Sequence, residues 1–126
     1  MGGDQVYADS IWTQLGPLKL WNELPRIEKI KRAATKDMLS QIDKFYSELY
    51  VSRWNKELLA TMLASIPSIM MWDDHDIFDG WGSYPDYMQA CDVYKAIFAA
   101  AKKHCELLQV RGSNTSLLAK TSQGHY

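Results

Sequence analysis

The chain has 126 residues and is 47% hydrophobic, which is enough for one core and at most one domain. A formal net charge of −1 and a pI near 6.3 provide no electrostatic footprint for nucleic acid or for an anionic membrane. No stretch reaches the roughly 18 uninterrupted apolar residues that a membrane span needs, and no secretory signal pattern is present. The sequence therefore predicts no nucleic-acid-binding patch and no membrane span, and it leaves the compartment and oligomeric state open.

The first half of the chain is predicted to be mainly helical. Residues 1–9 are expected to form a loop, because two glycines open the segment and only Val6 and Tyr7 resemble a strand remnant. A helical insertion is predicted over 10–64. It begins with a compact, aromatic-rich connector and continues from the N-cap residue Thr35 as one long amphipathic helix.

The second half changes its hydrophobic period. Residues 66–71 are almost continuously apolar, which is typical of a strand covered on both faces by helices. The strand and the loop after it, over 65–84, are predicted to carry the metal and substrate site. Pro85 is expected to start one long helix over 85–110, and 111–126 is predicted to be a flexible tail. This order of elements predicts an α/β layered fold, where ligands bind outside the carboxyl ends of strands.

An ionisable run follows the predicted strand directly: Trp72-Asp73-Asp74-His75-Asp76. Carboxylates are costly beside a buried element unless they are neutralised, and carboxylate oxygens with an imidazole suit a mixed metal site. On an extended backbone Asp73 and His75 would point one way and Asp74 and Asp76 the other, so at most two would bind one ion. The alternative is that these acids cap the next turn or pair with surface cations.

A second candidate segment lies near the start of the chain. Gly3 allows a sharp turn that would let Asp4 face a metal, with Tyr7 three residues later as a phenolate ligand. The alternative is an ordinary turn and a core tyrosine.

The other histidines and the tryptophans have different expected roles. His104 and His125 are isolated in the sequence, and both are predicted to be solvated. Trp72 and Trp81 flank the acidic loop and are predicted to wall a pocket.

The two motifs together resemble a known family. The segment 3–9, followed by a helical insertion and then by 71–82, is similar to the PhoD-like (alkaline phosphatase D) branch of the metallophosphatases. This resemblance implies a metallophosphoesterase core, a sandwich of two sheets flanked by helices, with metals at the strand-end loops. The chain would be an internal, mostly helical slice of that core with one or two short buried strands.

The resemblance also implies roles for individual residues. Asp4 matches the aspartate that bridges the metals, and Tyr7 matches a tyrosine that binds iron. Asp74 matches a ligand of the second metal, and His75 matches the catalytic histidine near the substrate phosphate. Three further acids are placed in a supporting shell: Asp73, Asp76 and Asp9.

The function implied for the full-length parent is a metal-dependent phosphoric ester hydrolase acting on a phosphate ester. The metal would be a divalent or trivalent ion such as iron, calcium, manganese or zinc. Because the family's other metal motifs are expected before Gly2 and after Tyr126, the isolated chain is expected to bind metal weakly and to turn over little. The alternatives are a helical protein-interaction module and a degenerate metallophosphatase relative that is used for binding.

Overall fold

The computed structural model of the chain describes residues 2–110 and the backbone of 120–121 and 124–125. Its helices are α1 (Ile11–Gln14), α2 (Gly16–Asn22), α3 (Arg26–Lys31), α4 (Lys36–Trp54), α5 (Glu57–Ser65), α6 (Asp86–Gln89) and α7 (Asp92–His104). A 3₁₀ turn spans Asp74–Asp76, and π-helical turns span Cys105–Val110. Two short strands, β1 (Lys120–Thr121) and β2 (Gly124–His125), pair antiparallel.

The predicted α/β sandwich with buried strands is wrong, because the described residues are predominantly helical. Residues 66–70 are not a strand, and Ile69 is 90% exposed. Within 2–110 the strand-type pairing is a single parallel bridge between Gly2 and Met71. A strand needs a neighbouring strand to complete its hydrogen bonds, and an apolar run by itself supplies none. Apart from the short hairpin of β1 and β2, the predicted tail over 111–126 lies outside the described residues.

The long helix predicted from Thr35 is two helices. The start is confirmed, since the Thr35 hydroxyl accepts a hydrogen bond from the backbone N–H of Met38 at 3.1 Å. The chain then leaves the helix at Asn55, and α5 begins at Glu57. The reason is tertiary: α4 buries one side against the core, whereas α5 buries no residue and is not held in line with it.

The helix predicted over 85–110 is likewise divided. It breaks between α6 and α7, and the π-helical turns that follow α7 widen its end. These turns bring Gln109 into the interior, where its side-chain oxygen accepts a hydrogen bond from the Tyr50 hydroxyl at 3.1 Å. The single 3.6-residue period did not indicate either change.

The core lies where α4 packs against α7, and the short helices α1 and α2 close one end of it. Its aromatic centre is built around Phe78 and Tyr94, whose rings meet edge-on at 5.0 Å. Trp72 and Trp81 stack on Phe98, at centroid distances of 5.5 and 5.2 Å. Both tryptophans are partly buried and pack against the core beside the acidic loop, and that they wall a pocket stays a prediction.

The prediction that His104 is solvated is also wrong. Its side chain is buried, and Nε2 lies 3.1 Å from the carboxylate of Asp43 on α4. Lys103 donates to the same carboxylate at 2.6 Å, so the Asp43 carboxylate links α4 to the end of α7. The side chain of His125 lies outside the described residues. No helix in the described part of the chain is both long and apolar enough to cross a membrane.

Candidate metal centre

A buried carboxylate joins the two segments that the sequence singled out. The Asp76 side chain is fully buried, and it accepts hydrogen bonds from the backbone N–H of Val6 at 2.8 Å and of Asp73 at 3.0 Å. A further backbone bond, from the N–H of Ala8 to the carbonyl of His75, measures 2.9 Å. Burial raises the pKa of Asp76, and the N–H donors oppose that rise. The Asp76 carboxylate thus holds the N-terminal loop against the acidic run.

The acidic run is a turn, not an extended segment. Asp73 caps the 3₁₀ turn, accepting from the N–H of Asp74 at 2.9 Å, while the Asp76 carboxylate reaches back to the N–H of Asp73. The capping alternative is therefore realised by these two acids. Because the backbone turns, the expected alternation of side chains is lost, and Asp73 and Asp74 face the same region.

Three carboxylates meet at this turn. Asp4, Asp73 and Asp74 each contribute an oxygen, and all three oxygens lie within 4.8 Å of one another. Oδ1 of Asp4 is buried without a hydrogen-bond partner within the described residues. Gly3 permits this approach, since its φ is 98° and a Cβ there would lie 2.6 Å from the Cβ of Asp73. Asp4 itself has a φ of 54°, a strained conformation for a non-glycine residue.

Tyr7 lies beside this cluster. Its hydroxyl is 3.3 Å from Oδ2 of Asp4, and its ring centroid is 4.9 Å from that of His75. The negative charge of Asp4 raises the pKa of Tyr7. Because the side chain is 51% exposed, the core-tyrosine alternative is wrong.

His75 lies between two carboxylates. Nδ1 lies 2.9 Å from Oδ2 of Asp9, and Nε2 lies 3.7 Å from Oδ1 of Asp79. The other oxygen of Asp9 accepts from the backbone N–H of Asp79 at 2.6 Å, which fixes the carboxylate on both sides. The hydrogen bond to Asp9 is the main reason that the pKa of His75 is raised. The imidazole is thereby favoured in its protonated form.

Asp74 belongs to two groups of possible ligands. It lies in the cluster with Asp4 and Asp73, and it also forms a group with His75 and Asp79 whose ligand atoms lie within 4.8 Å. Its Oδ2 accepts from the backbone N–H of Gly80 at 2.8 Å, and this bond lowers the pKa of Asp74. The carboxylate is therefore kept ionised where the two groups meet.

The structure brings every predicted site residue into one region. Sequence reasoning missed Asp79, although a carboxylate four residues after His75 was a visible signal. It also missed Arg53 on α4, whose Nε donates to the backbone carbonyl of Gln5 at 3.1 Å and steadies the segment after Asp4. No spacing rule connects Arg53 to Gln5, because the contact is made by the fold.

The site is a candidate metal centre built from clustered carboxylates beside a carboxylate-held histidine. A family model described as PhoD related phosphatase matches residues 1–125. The chain belongs to this family, which confirms the resemblance drawn from the motifs.

The chain is also similar to an uncharacterized protein of Saccharomyces cerevisiae. The two are 33% identical over 123 residues, a match that covers 86% of this chain and 18% of the yeast protein. This chain thus spans less than a fifth of the length of that relative. No solved structure matches this chain.

Proposed function

We propose that this chain supplies part of the metal centre of a metal-dependent phosphoric ester hydrolase, an alkaline phosphatase D-like phosphomonoesterase or phosphodiesterase in its full-length parent. The observation that carries the proposal is the convergence of Asp4, Asp73 and Asp74, with a buried and unpartnered oxygen on Asp4. Membership of the PhoD-related phosphatase family supports the same reaction class.

The residues present fit a bound cation. Three carboxylates this close together repel one another, and a buried acceptor without a partner costs about 1–3 kcal/mol. A cation held by Asp4 and Asp74, with Tyr7 and Asp73 beside them, would remove both penalties. An oxygen-rich set favours hard ions, and a phenolate oxygen extends the choice to iron, so iron, calcium, manganese and zinc are the candidates.

The bound metal would supply a clamp for phosphate oxygens and a water of lowered pKa for in-line attack. The chain's own contribution to the reaction centres on His75. Nδ1–H of His75 donates a hydrogen bond to Asp9, which orients the ring and leaves the Nε2 proton for the substrate side. From there the imidazolium can stabilise charge on a phosphate oxygen or protonate the leaving oxygen.

Asp9 and Asp79 shape that role. The short contact to Asp9 fixes the ring, whereas the contact between Nε2 and Asp79 is longer at 3.7 Å and is open to replacement. A phosphate oxygen can therefore take the place of the Asp79 carboxylate beside Nε2. In the isolated chain, substrate turnover is expected to be slight, because the remaining metal ligands would come from other parts of the parent.

The test is hydrolysis of a generic aryl phosphate by the full-length parent and by this chain, each with added metal and then with a chelator. We expect activity in the parent, with loss of at least a hundredfold in Asp74→Ala, since a metal ligand is removed. Glu48→Ala is the matched control, because this acid is exposed and, among the described residues, its ion pair is with Lys44 on the same helix.

The outcomes separate the alternatives. Chelator-sensitive activity that survives Asp74→Ala would refute the assignment of the ligand. A parent that binds metal without turnover would indicate a binding protein derived from a phosphatase. A stable chain that is indifferent to metal and chelator in every assay would favour a helical interaction module.

A further inference from the structure

A groove whose lining contains none of the clustered carboxylates is the strongest unassigned feature of the described chain. It has a volume of about 390 Å³ and lies between the α2–α3 segment and residues 84–94. Its principal lining side chains are aromatic or cationic: Trp12, Arg26, Lys29, Tyr84, Tyr87 and Tyr94. This volume is within the range of roughly 300–1,000 Å³ that is usual for small-molecule sites.

The aromatic side of the groove is held in place by its own packing. Tyr94 is buried and meets the ring of Tyr84 edge-on, with centroids 5.3 Å apart, and the ring of Trp12 at 5.9 Å. The Tyr84 hydroxyl donates to the backbone carbonyl of Asp79 at 3.1 Å, which fixes that ring as well. Rings that are fixed before binding offer a flat ligand a stacking surface at little entropic cost.

Two cations face the same groove. The guanidinium of Arg26 lies 5.8 Å from the centroid of the Tyr87 ring. The ammonium of Lys29 is 2.9 Å from the side-chain oxygen of Asn22 and 5.4 Å from the centroid of the Trp21 ring. Neither cation forms an ion pair with a carboxylate in the part of the chain that the structure describes.

The aromatic rings and the two cations of the groove would bind different parts of one ligand. Positioned cations without a carboxylate partner attract an anion, and Arg26 can bind a phosphate in a bidentate manner. The tyrosine and tryptophan rings beside them suit a planar ring. We propose that this groove binds a small molecule that carries an aromatic or heteroaromatic ring and a phosphate, such as a nucleoside monophosphate. Such binding needs no metal and does not depend on the proposed hydrolase activity.

The test is calorimetric titration of this chain with adenosine 5′-monophosphate in buffer that contains a chelator, so that metal-dependent turnover does not interfere. We expect saturable binding that weakens as salt is added, because the phosphate contact is electrostatic. Arg26→Gln together with Lys29→Gln is expected to weaken binding by at least about tenfold. Tyr87→Leu, which removes a ring but keeps an apolar side chain, is expected to weaken it severalfold.

Matched controls separate the two halves of the ligand. Lys31→Gln removes a positive charge from the same helix outside the groove and is expected to change the affinity less than about twofold. Adenosine alone and inorganic phosphate alone are each expected to bind at least about tenfold more weakly than the monophosphate. Equal binding of adenosine would refute the role of the cations, and equal binding of phosphate would refute the role of the rings. Absence of monophosphate binding at millimolar concentration would overturn the proposal.

Discussion

Replacement of Asp76 by alanine is expected to separate the two loops of the candidate metal centre. The carboxylate accepts from the buried N–H of Val6 and from the partly buried N–H of Asp73, and alanine leaves both donors without a partner. The Asp76 side chain is fully buried, so water cannot readily replace its carboxylate beside the N–H of Val6.

The magnitude follows from the burial of each donor. An unsatisfied buried donor costs about 1–3 kcal/mol, and the partly buried N–H of Asp73 belongs at the low end of that range. The substitution also removes a cost of the folded protein, because burial raises the pKa of Asp76 and makes its charged form unfavourable there. This gain offsets part of the loss in stability. We expect the free energy of unfolding to fall by about 2–4 kcal/mol. Asp76→Asn keeps one acceptor but turns an amide N–H towards a donor, so its loss is expected to be smaller but still above about 1 kcal/mol.

The assay is equilibrium unfolding in urea, followed by tryptophan fluorescence and compared at constant m-value. Asp86→Ala is the matched control, since this exposed acid in the first turn of α6 is expected to contribute no more than about 0.5 kcal/mol. A loss below about 1 kcal/mol in Asp76→Ala would refute the reasoning, because it would mean that the two N–H groups find other partners at no cost.

Three further substitutions test other parts of the fold. Gly3→Ala places a methyl group 2.6 Å from the Cβ of Asp73 at a φ of 98°, so we expect a loss of about 2–4 kcal/mol in urea unfolding. Tyr46→Phe removes the buried hydroxyl that donates to the Ile77 carbonyl, and thermal unfolding is expected to show a loss of about 1–2 kcal/mol. Asp43→Asn is expected to cost about 0.5–1 kcal/mol at neutral pH, since this carboxylate is partly exposed. The hydrogen bond from Lys103, and to a smaller extent that from His104, lowers the pKa of Asp43 in the folded protein. The stabilisation by this carboxylate is therefore present above its unfolded pKa of about 3.9 and is lost as the pH falls through the folded pKa.

Each of these predictions has an outcome that would contradict it. Gly16→Ala, where a Cβ would meet nothing within 4 Å, should leave stability almost unchanged, and an equal loss at both glycines would count against a steric cause. If Tyr46→Phe left the free energy of unfolding unchanged, this would show that water reaches the Ile77 carbonyl. For Asp43→Asn, the difference in stability from the unsubstituted chain should close as the pH falls through the folded pKa of Asp43, and a difference that stays constant while this carboxylate is protonated would exclude an ionic origin.

The sequence predicted the location of the candidate site better than the fold around it. The Gly3-Asp4 step and the acidic run have their own local chemistry, and the structure brings Asp4 and Asp74 together as the motifs implied. Whether these residues bind metal stays a prediction. Asp73 was predicted to lie in a supporting shell, but its convergence with Asp74 was not expected, because it depends on a 3₁₀ turn that the acids themselves cap. A period-2 expectation for side-chain direction fails wherever the backbone turns.

The errors in the fold have one physical origin. Residues 66–71 are apolar, but apolar content does not specify which surface covers them, and here Ile69 is exposed. The same limit applies to His104, which was predicted to be solvated because nothing in the sequence connects it to its partner Asp43 on α4. Helix starts such as Thr35 were predictable because the capping bond is local. Helix breaks and buried pairs depend on contacts between distant segments.

The most direct test of the central claim is the location at which a paramagnetic ion binds this chain. Substoichiometric Mn²⁺ should broaden the amide signals of residues 3–7 and 73–80 first, even when binding is weak. Asp74→Asn should abolish that selectivity, because Asp74 belongs to both groups of ligand atoms. Preferential broadening beside other acids such as Asp43 or Asp86, or an unchanged pattern in Asp74→Asn, would contradict the assignment of the metal centre.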